Sequence, residues 1–244
     1  MFHHVTLRVS DRDDAERFLR TALAPLGLGP TGDDGEFLQF ADLSVAPARS
    51  DRPPTTGLHV GLVAPSTPAV DAFWRAGVDA GYASDGEPGL RPQYSPGYYG
   101  AFLLDPDGNS IEAALHEGLR LPPGTVDHLW IRVADAAASE QFYAHLAPHA
   151  GYSLRASQPG LVRFRGARGG SVTFLDGEPR TTGVHFALAV ADRAAVDAFH
   201  AAAIGAGAIE NGAPGLRPAY GADYYGAFVR DPGGHNIEAV AGLR

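Results

Sequence analysis

Apolar and polar residues alternate over short stretches that recur along the chain. At the start, Val5, Leu7 and Val9 are separated by polar residues, and this period of two is typical of a strand with one packed face. Asp11 then stands where a helix N-cap is expected, and the apolar positions between Ala15 and Leu26 fall near helical spacing. The pattern therefore predicts a strand followed by a helix.

Further strands are predicted after this helix, and the same order recurs. Short apolar stretches at 37–40 and 43–46 complete the first set, and a new strand starts at His59. Ser66 and Pro68 indicate the start of the next helix. Two later stretches, 98–104 and 110–115, are joined by DPDGN, a turn favoured by Pro and Gly. The order of one strand, one helix and further strands occurs four times in the chain.

A long sequence repeat accounts for this recurrence. The string GEPGLRPQYSPGYYGAFLLDPDGNSIEAA from Gly86 and the string GAPGLRPAYGADYYGAFVRDPGGHNIEAV from Gly212 are identical at 18 of 29 positions. GLHVGLVA at Gly57 returns as GVHFALAV at Gly183 with the same offset, and HHVTLRVSD at His3 corresponds to DHLWIRVAD. The chain is an internal duplication.

The duplication predicts two domains of two modules each. A hairpin turn around 166–170 takes the place of the shorter turn in the first module. We predict a first domain at 1–118 with modules 1–57 and 58–118, a linker at 119–125, and a second domain at 126–244 with modules 126–182 and 183–244.

Composition excludes several kinds of chemistry. The chain has no Cys, and all 19 basic residues are Arg, which removes thiolate ligands, thiol nucleophiles and lysine Schiff bases. A net charge of −9 without a basic cluster argues against nucleic acid as a partner. Apolar runs are too short for a membrane span, and the start of the chain lacks a signal-peptide pattern. We therefore expect a cytoplasmic protein with no membrane partner.

Each copy also holds two His and one Glu in register. The spacings are 55 and 53 residues in the first copy and 57 and 53 in the second. On their strands these residues lie opposite the apolar set, so they point away from the face that packs on helices. Two His and one carboxylate form an open metal site. The candidate ligands are His4, His59, Glu112, His128, His185 and Glu238.

The remaining histidines have no counterpart in the other copy. We expect them at the surface or beside the ligands rather than on a metal. They are His3, His116, His145, His149, His200 and His235.

These motifs resemble the vicinal oxygen chelate superfamily, which contains glyoxalase I, fosfomycin- and bleomycin-resistance proteins, and extradiol dioxygenases. The resemblance covers nearly the whole chain and rests on the HHVTLRVSD, GLHV and DPDGNSIE strings and their repeats. It implies an α+β fold in which four βαβββ modules form two glyoxalase-like domains. It also implies that the six candidates above hold a divalent metal ion, which the sequence does not identify among Fe, Mn, Ni, Co and Zn.

At several positions this sequence differs from the members of the superfamily whose reactions are known, and these differences narrow the reactions that the resemblance implies. Glyoxalase I has a further ligand on the last strand of its first module, but that strand reads DLSVAPA here, which disfavours an isomerase acting on hemithioacetals. Extradiol dioxygenases have a Tyr where this chain has Phe102 and Phe228, and Gln93 and Ala219 stand near the place of their further His. Ring cleavage is thereby placed in doubt.

We therefore expect a bacterial-type, metal-dependent enzyme that acts on a small oxygen-rich molecule. Its reaction is of the lyase, isomerase or dioxygenase type. The alternative is an antibiotic- or metabolite-binding resistance protein without catalysis. Four repeated side chains are candidate catalytic residues, since a phenol or a guanidinium can stabilise a developing oxyanion: Tyr98, Tyr224, Arg91 and Arg217. The opposing interpretation of the two Arg is a structural corner in which each binds a carbonyl.

Two ligand pairings are compatible with the sequence. Either His4 joins His59 and Glu112, or it joins the His and Glu of the second copy while His128 joins those of the first. We favour the pairing within one domain, because sequence neighbours usually pack together. The protein is expected to be a monomer with pseudo-twofold symmetry or a homodimer.

Overall fold

The computed structural model describes residues 1–116 and 121–242. The predicted domain boundary after residue 118, and the first residues of the predicted linker, lie outside this range. Within it the chain forms strands and helices in the order predicted from the repeat, with four α-helices in the described residues. The predicted fold class, α+β with four βαβββ modules, is confirmed.

The first two modules contain two helices and eight strands, with a 3-10 turn at Ala24–Leu26. The elements are β1 (Phe2–Val9), α1 (Arg12–Leu23), β2 (Gly32–Asp33), β3 (Leu38–Phe40), β4 (Leu43–Pro47), β5 (His59–Val63), α2 (Thr67–Asp79), β6 (Ser84–Leu90), β7 (Tyr99–Leu104) and β8 (Ser110–Leu115).

The last two modules repeat this order with longer strands in the third. The elements are β9 (Val126–Val133), α3 (Ala136–Ala150), β10 (Tyr152–Gln158), β11 (Leu161–Gly166), β12 (Ser171–Asp176), β13 (His185–Val190), α4 (Arg193–Gly205), β14 (Ile209–Leu216), β15 (Tyr225–Arg230) and β16 (Asn236–Ala241). The hairpin predicted around Gly166 joins β11 to β12.

Contacts along the chain define two units. The first unit is Thr6–Trp130, and the second unit is Met1–Val5 with the chain from Ile131 onward. Both divisions fall inside strands, so β1 gives its first residues to the second unit and β9 gives its first residues to the first unit. Each unit therefore combines most of one copy with the start of the first strand of the other copy. This arrangement determines which candidate ligands lie close together.

Each unit contains one five-strand array that carries the candidate ligands. In the first unit the hydrogen-bonded order is β6-β7-β8-β5 followed by the start of β9. In the second unit the order is β14-β15-β16-β13 followed by the start of β1. β5 and β8 are parallel, whereas β5 and β9 are antiparallel.

The helices begin where their capping residues predict. The side chain of Asp11 accepts a hydrogen bond from the Asp14 N–H, and Ser66 accepts one from Ala69, which satisfies N–H groups that lack a partner within the helix. Apolar helix residues such as Phe18 and Phe73 are fully buried. The opposite faces of the strands remain available for the polar ligands.

The strands that the sequence pattern did not predict include β2 and two longer ones, β6 and β14. Ser84–Leu90 and Ile209–Leu216 are rich in Gly and Pro, which disfavour strands. Both lie at the edge of an array, and their pairing with β7 and β15 is interrupted by register shifts at Gly86 and Gly212, where such residues are tolerated.

The helices of the described segments also bear on the membrane prediction. None of them is long and apolar enough to cross a membrane.

Candidate metal centres

Three of the predicted ligands converge in the first unit. The Nε2 atom of His59 lies 3.0 Å from Oε2 of Glu112 and 3.1 Å from Nε2 of His128. Nε2 of His128 is 3.0 Å from the same Glu112 oxygen. We call these three residues the His59 cluster.

The other three ligands converge in the second unit. Nε2 of His4 lies 3.1 Å from Nε2 of His185, and Oε2 of Glu238 lies 3.6 Å from the first and 3.5 Å from the second. We call these residues the His185 cluster. In both clusters the Glu side chain is 1% exposed.

These groupings contradict the pairing that we favoured from the sequence. His4 does not join His59 and Glu112; it joins His185 and Glu238, and His128 takes its place in the first unit. The physical reason is strand pairing. The start of β9 pairs with β5, and the start of β1 lies beside β13, so each first-strand His is supplied by the other copy.

The register of three strands brings the His59 cluster together. Gly61 on β5 is level with Glu112 on β8 and with His128 on β9. A Cβ atom at Gly61 would collide with the imidazole of His128. Gly61 therefore leaves the space in which the His128 side chain lies over β5, next to His59.

A second glycine makes room for each carboxylate. A Cβ atom at Gly100 would lie 2.5 Å from Oε1 of Glu112, and one at Gly226 would lie 2.9 Å from Oε1 of Glu238. These glycines belong to the repeated YYGAF string. The repeat thus preserves both the Glu and the space beside it.

Tyr98 and Tyr224 hold the two carboxylates. The Tyr98 hydroxyl donates to Oε1 of Glu112 at 2.9 Å, and the Tyr224 hydroxyl donates to Oε1 of Glu238 at 2.7 Å. In each cluster the other oxygen, Oε2, faces the His side chains. Both predicted Tyr residues therefore touch a candidate ligand directly.

The second ring nitrogen, Nδ1, of each histidine in the His59 cluster also has a hydrogen-bond partner. Nδ1 of His59 lies 3.1 Å from the Ser110 hydroxyl, and Nδ1 of His128 lies 2.9 Å from Oδ2 of Asp127. Asp127 is bound a second time by Nε2 of His116, at 3.2 Å, and the His116 ring stacks on Tyr98. With Nδ1 protonated and donating, Nε2 is left to face a metal ion.

The His185 cluster has different support. Nδ1 of His185 lies 3.1 Å from the carbonyl oxygen of Asn236, and Nδ1 of His4 lies 3.0 Å from Nδ1 of His3. His3 is the counterpart of Asp127 in the repeat. An imidazole nitrogen therefore stands where the other cluster has a carboxylate.

The charges of the His59 cluster stabilise one another. Burial opposes ionisation of Glu112, but hydrogen bonds from His128 and His59 outweigh it and lower the pKa of Glu112 to about 2. Burial disfavours a charge on His128, whereas its bonds to Asp127 and Glu112 raise its pKa to about 9. Burial of Asp127 is likewise outweighed by His116 and His128, so its pKa lies below the usual range.

The surroundings of Tyr98 stabilise its neutral form. Burial, followed by the negative charge of Glu112 and the bond to it, raises the pKa of Tyr98 far above its usual value. The phenol is therefore a hydrogen-bond donor and not a base at neutral pH.

The donor set fits a divalent metal ion. Bonds of about 2.1 Å to ligands at right angles would place the ligand atoms about 3 Å apart, as in the His59 cluster. In both clusters all three atoms lie within 4.8 Å of one another. An environment that stabilises positive charge at Nε2 of His128 also favours a cation, so His, His and Glu suit Fe, Mn, Ni, Co or Zn.

Arg91 and Arg217 bind the main chain of their own corners. Nη2 of Arg91 donates to the Glu87 carbonyl at 2.6 Å, and Nη2 of Arg217 donates to the Ala213 carbonyl at 2.6 Å. The Arg91 guanidinium also lies over the ring of Phe102, which packs near His59. This arrangement matches the interpretation of each Arg as part of a structural corner.

Sequence reasoning missed Asp127 as a functional residue. The aligned residue in the first copy is His3, so the repeat does not mark Asp127 as a shared side chain. The available signal was adjacency, because Asp127 immediately precedes a candidate ligand, and a carboxylate often binds the second nitrogen of a metal-bound His. His3 and His116 lie beside the clusters, which is one of the two locations, surface or next to the ligands, that we expected for the remaining histidines.

Comparisons with known proteins agree with this architecture. Residues 1–113 match the model of the Glyoxalase/Bleomycin resistance protein/Dioxygenase superfamily. Glyoxalase I from Zea mays is similar in structure, with a TM-score of 0.68 at 19% identity over 98% of this chain and 92% of that one. A putative dioxygenase from Bacillus subtilis subsp. subtilis str. 168 has a TM-score of 0.70 at 15% identity over 100% and 85%. No curated protein matches the sequence.

The family model covers the first copy, the second copy repeats its motifs, and the similar structures share the fold over nearly the whole chain. The first copy therefore belongs to the glyoxalase/bleomycin resistance protein/dioxygenase superfamily, and the whole chain has the two-domain glyoxalase-like fold of the similar structures.

Proposed function

We propose that the protein is a metal-dependent enzyme that binds a small oxygen-rich molecule at divalent metal ions held by the His59 and His185 clusters. The observation that carries the proposal is the convergence of two His Nε2 atoms and one Glu Oε2 atom in each unit. A metal ion with three protein ligands has open positions and supplies Lewis-acid or redox chemistry to a molecule with neighbouring oxygens.

The side chains around the His59 cluster have separate tasks in this proposal. His59, His128 and Glu112 hold the ion, and Asp127 and Ser110 orient the two rings through Nδ1. Tyr98 keeps Oε1 of Glu112 occupied, which leaves Oε2 for the ion. Tyr98 has a single hydroxyl proton, so it can donate to an oxyanion that develops on the substrate only by releasing Oε1 of Glu112. Tyr224 has the same position beside Glu238.

Metal content tests the proposal directly. Protein purified without chelators and then loaded with Mn²⁺, Ni²⁺, Co²⁺, Zn²⁺ or anaerobic Fe²⁺ should hold two ions per chain by elemental analysis. Glu112→Gln and Glu238→Gln should each retain one. Unchanged metal content in both variants would remove the site assignment.

A second experiment separates an enzyme from a binding protein. The loaded protein is incubated with compounds that carry neighbouring oxygens, such as 2-hydroxycarbonyl compounds, hemithioacetals and catechols. Turnover that stops on addition of EDTA and returns with metal supports an enzyme. Stoichiometric binding of a drug-like ligand by protein that holds no metal would instead support the resistance-protein alternative.

Catechols are expected to be poor substrates. Phe102 lies beside His59, and Phe228 beside His185, where extradiol dioxygenases are expected to have a Tyr. Anaerobically Fe²⁺-loaded protein should therefore not cleave simple catechols at an appreciable rate when oxygen is admitted. A yellow ring-fission product would restore the dioxygenase interpretation.

The cytoplasmic location and the monomeric or homodimeric state are further predictions.

A further inference from the structure

The two clusters share their ligand types but differ in the residue that precedes the first-strand His and in the residue that faces it on the central strand. We infer that the His59 cluster is the tight metal site of this protein and that the His185 cluster binds a divalent cation at least tenfold more weakly. This inference rests on the proposed function, because it requires both clusters to bind metal. It assigns Asp127 as a positioning residue whose aligned position in the first copy holds His3.

The first difference is the group behind the His. Asp127 is buried, accepts from Nδ1 of His128, and is itself bound by His116. At the aligned position His3 offers only a ring nitrogen to Nδ1 of His4. A carboxylate behind a metal-bound His fixes the ring and makes Nε2 a stronger ligand, and loss of such a partner typically costs 10–100-fold in metal affinity.

The second difference is the space over the central strand. Gly61 lets the His128 ring lie directly against β5, level with Glu112. The aligned residue in the second unit is Ala187, which is fully buried and level with Glu238 on β16. Ala187 carries a methyl group where Gly61 has only hydrogen, which leaves less room over the central strand for His4 than for His128.

The ligand atoms reflect both differences. The three separations in the His59 cluster are 3.0, 3.0 and 3.1 Å, whereas in the His185 cluster Glu238 stands 3.5 and 3.6 Å from the two His nitrogens. A looser cluster must contract when it binds an ion, and that rearrangement reduces affinity. The buried carboxylate of Asp127, which adds to that of Glu112 at the His59 cluster, attracts a cation in the same direction.

The test isolates each cluster in the full-length chain. Glu238→Gln leaves only the His59 cluster, and Glu112→Gln leaves only the His185 cluster. Isothermal titration with Mn²⁺ should give a Kd at least tenfold lower for the first variant. Equal affinities within threefold would overturn the inference and leave the proposed function intact. Absence of binding in both variants would overturn the proposed function, and the inference with it.

Matched substitutions test the residues held responsible. Asp127→Asn in the Glu238→Gln background should weaken Mn²⁺ binding 10–100-fold, whereas His3→Asn in the Glu112→Gln background should change it less than threefold. His3→Asp combined with Ala187→Gly should tighten the His185 cluster. An unchanged Kd in both the Asp127 variant and this gain-of-affinity variant would refute the assignment, and the second arm does not depend on whether the Asp127 variant folds.

Trp130 provides a fluorescence signal beside the His59 cluster in the intact protein. Its ring lies 6.3 Å from that of His59, and the only other Trp, Trp74, is removed by Trp74→Phe. Co²⁺ added in substoichiometric amounts should then quench Trp130 fluorescence fully before the second equivalent is bound. Quenching that continues linearly over two equivalents would show equal sites and contradict the inference.

Discussion

The Nε2 atoms of His59 and His128 lie 3.1 Å apart, although 69 residues separate them in the chain. His4, which resembles His128 in the repeat, lies at the same 3.1 Å from His185. Each candidate site therefore combines the first strand of one copy with the second module of the other. Neither copy contains a complete set of ligands in the observed grouping.

This crossed grouping predicts which cluster each first-strand His serves. His128→Ala should abolish Co²⁺ quenching of Trp130 in the Trp74→Phe background, because it removes a ligand of the His59 cluster. His4→Ala should leave that quenching unchanged and lower the total bound metal by one ion per chain. Loss of quenching in the His4 variant would instead support pairing within one domain.

Gly100→Ala is expected to weaken metal binding at the His59 cluster at least tenfold. The added methyl group would lie 2.5 Å from Oε1 of Glu112, so the carboxylate must move away from the His nitrogens. Titration with Mn²⁺ in the Glu238→Gln background measures the effect. Gly29→Ala is a matched control, since a Cβ atom there meets nothing within 4 Å, and it should bind as the parent does.

Tyr98→Phe should lower the free energy of unfolding of the metal-free protein by about 1–3 kcal/mol, because a buried carboxylate oxygen loses its hydrogen-bond donor. Urea denaturation with EDTA present gives this value. Tyr99→Phe removes a neighbouring hydroxyl that donates to Asp71 at a less buried position, and a smaller loss is expected. Equal losses in the two variants would contradict the role given to Tyr98.

Asp105 should make stability depend on pH between about 4 and 6. Burial, partly offset by hydrogen bonds from Asn109, raises the pKa of Asp105 to about 6. A carboxyl group with a raised pKa in the folded state favours folding fully below its unfolded pKa, and this contribution is lost as pH rises through 6. The free energy of unfolding should therefore be about 2–3 kcal/mol lower above pH 6 than below pH 4 as far as Asp105 contributes.

Asp105→Asn should remove this part of the pH profile, although it also weakens the turn by disturbing the bond to the Asn109 side chain. Urea denaturation of both proteins at pH 4, 5, 6 and 7 provides the measurement. Asp13→Asn, on the exposed side of α1, serves as the control and should keep the parent profile. A parallel profile in the Asp105 variant would show that another group is responsible.

The sequence by itself determined the order of elements and the identity of the candidate ligands. Period-two alternation placed His59 and Glu112 on the face of their strands that does not pack on helices, and local capping rules placed the starts of α1 and α2. Such features depend on neighbouring residues, and the repeat doubled each signal. The edge strands β6 and β14 were missed because their Gly and Pro residues disfavour strands locally.

The tertiary structure alone decided which ligands share a site. That choice depends on which strand pairs with β5 and β13, and a hydrogen-bonded ladder leaves no mark in the local pattern of either strand. The same holds for Gly61 and Asp127, whose effects arise only where His128 is brought against them by β9. Sequence neighbours usually pack together. Here, however, the start of β9 pairs with β5 and the start of β1 lies beside β13, so the first strand of each copy extends the array of the other copy.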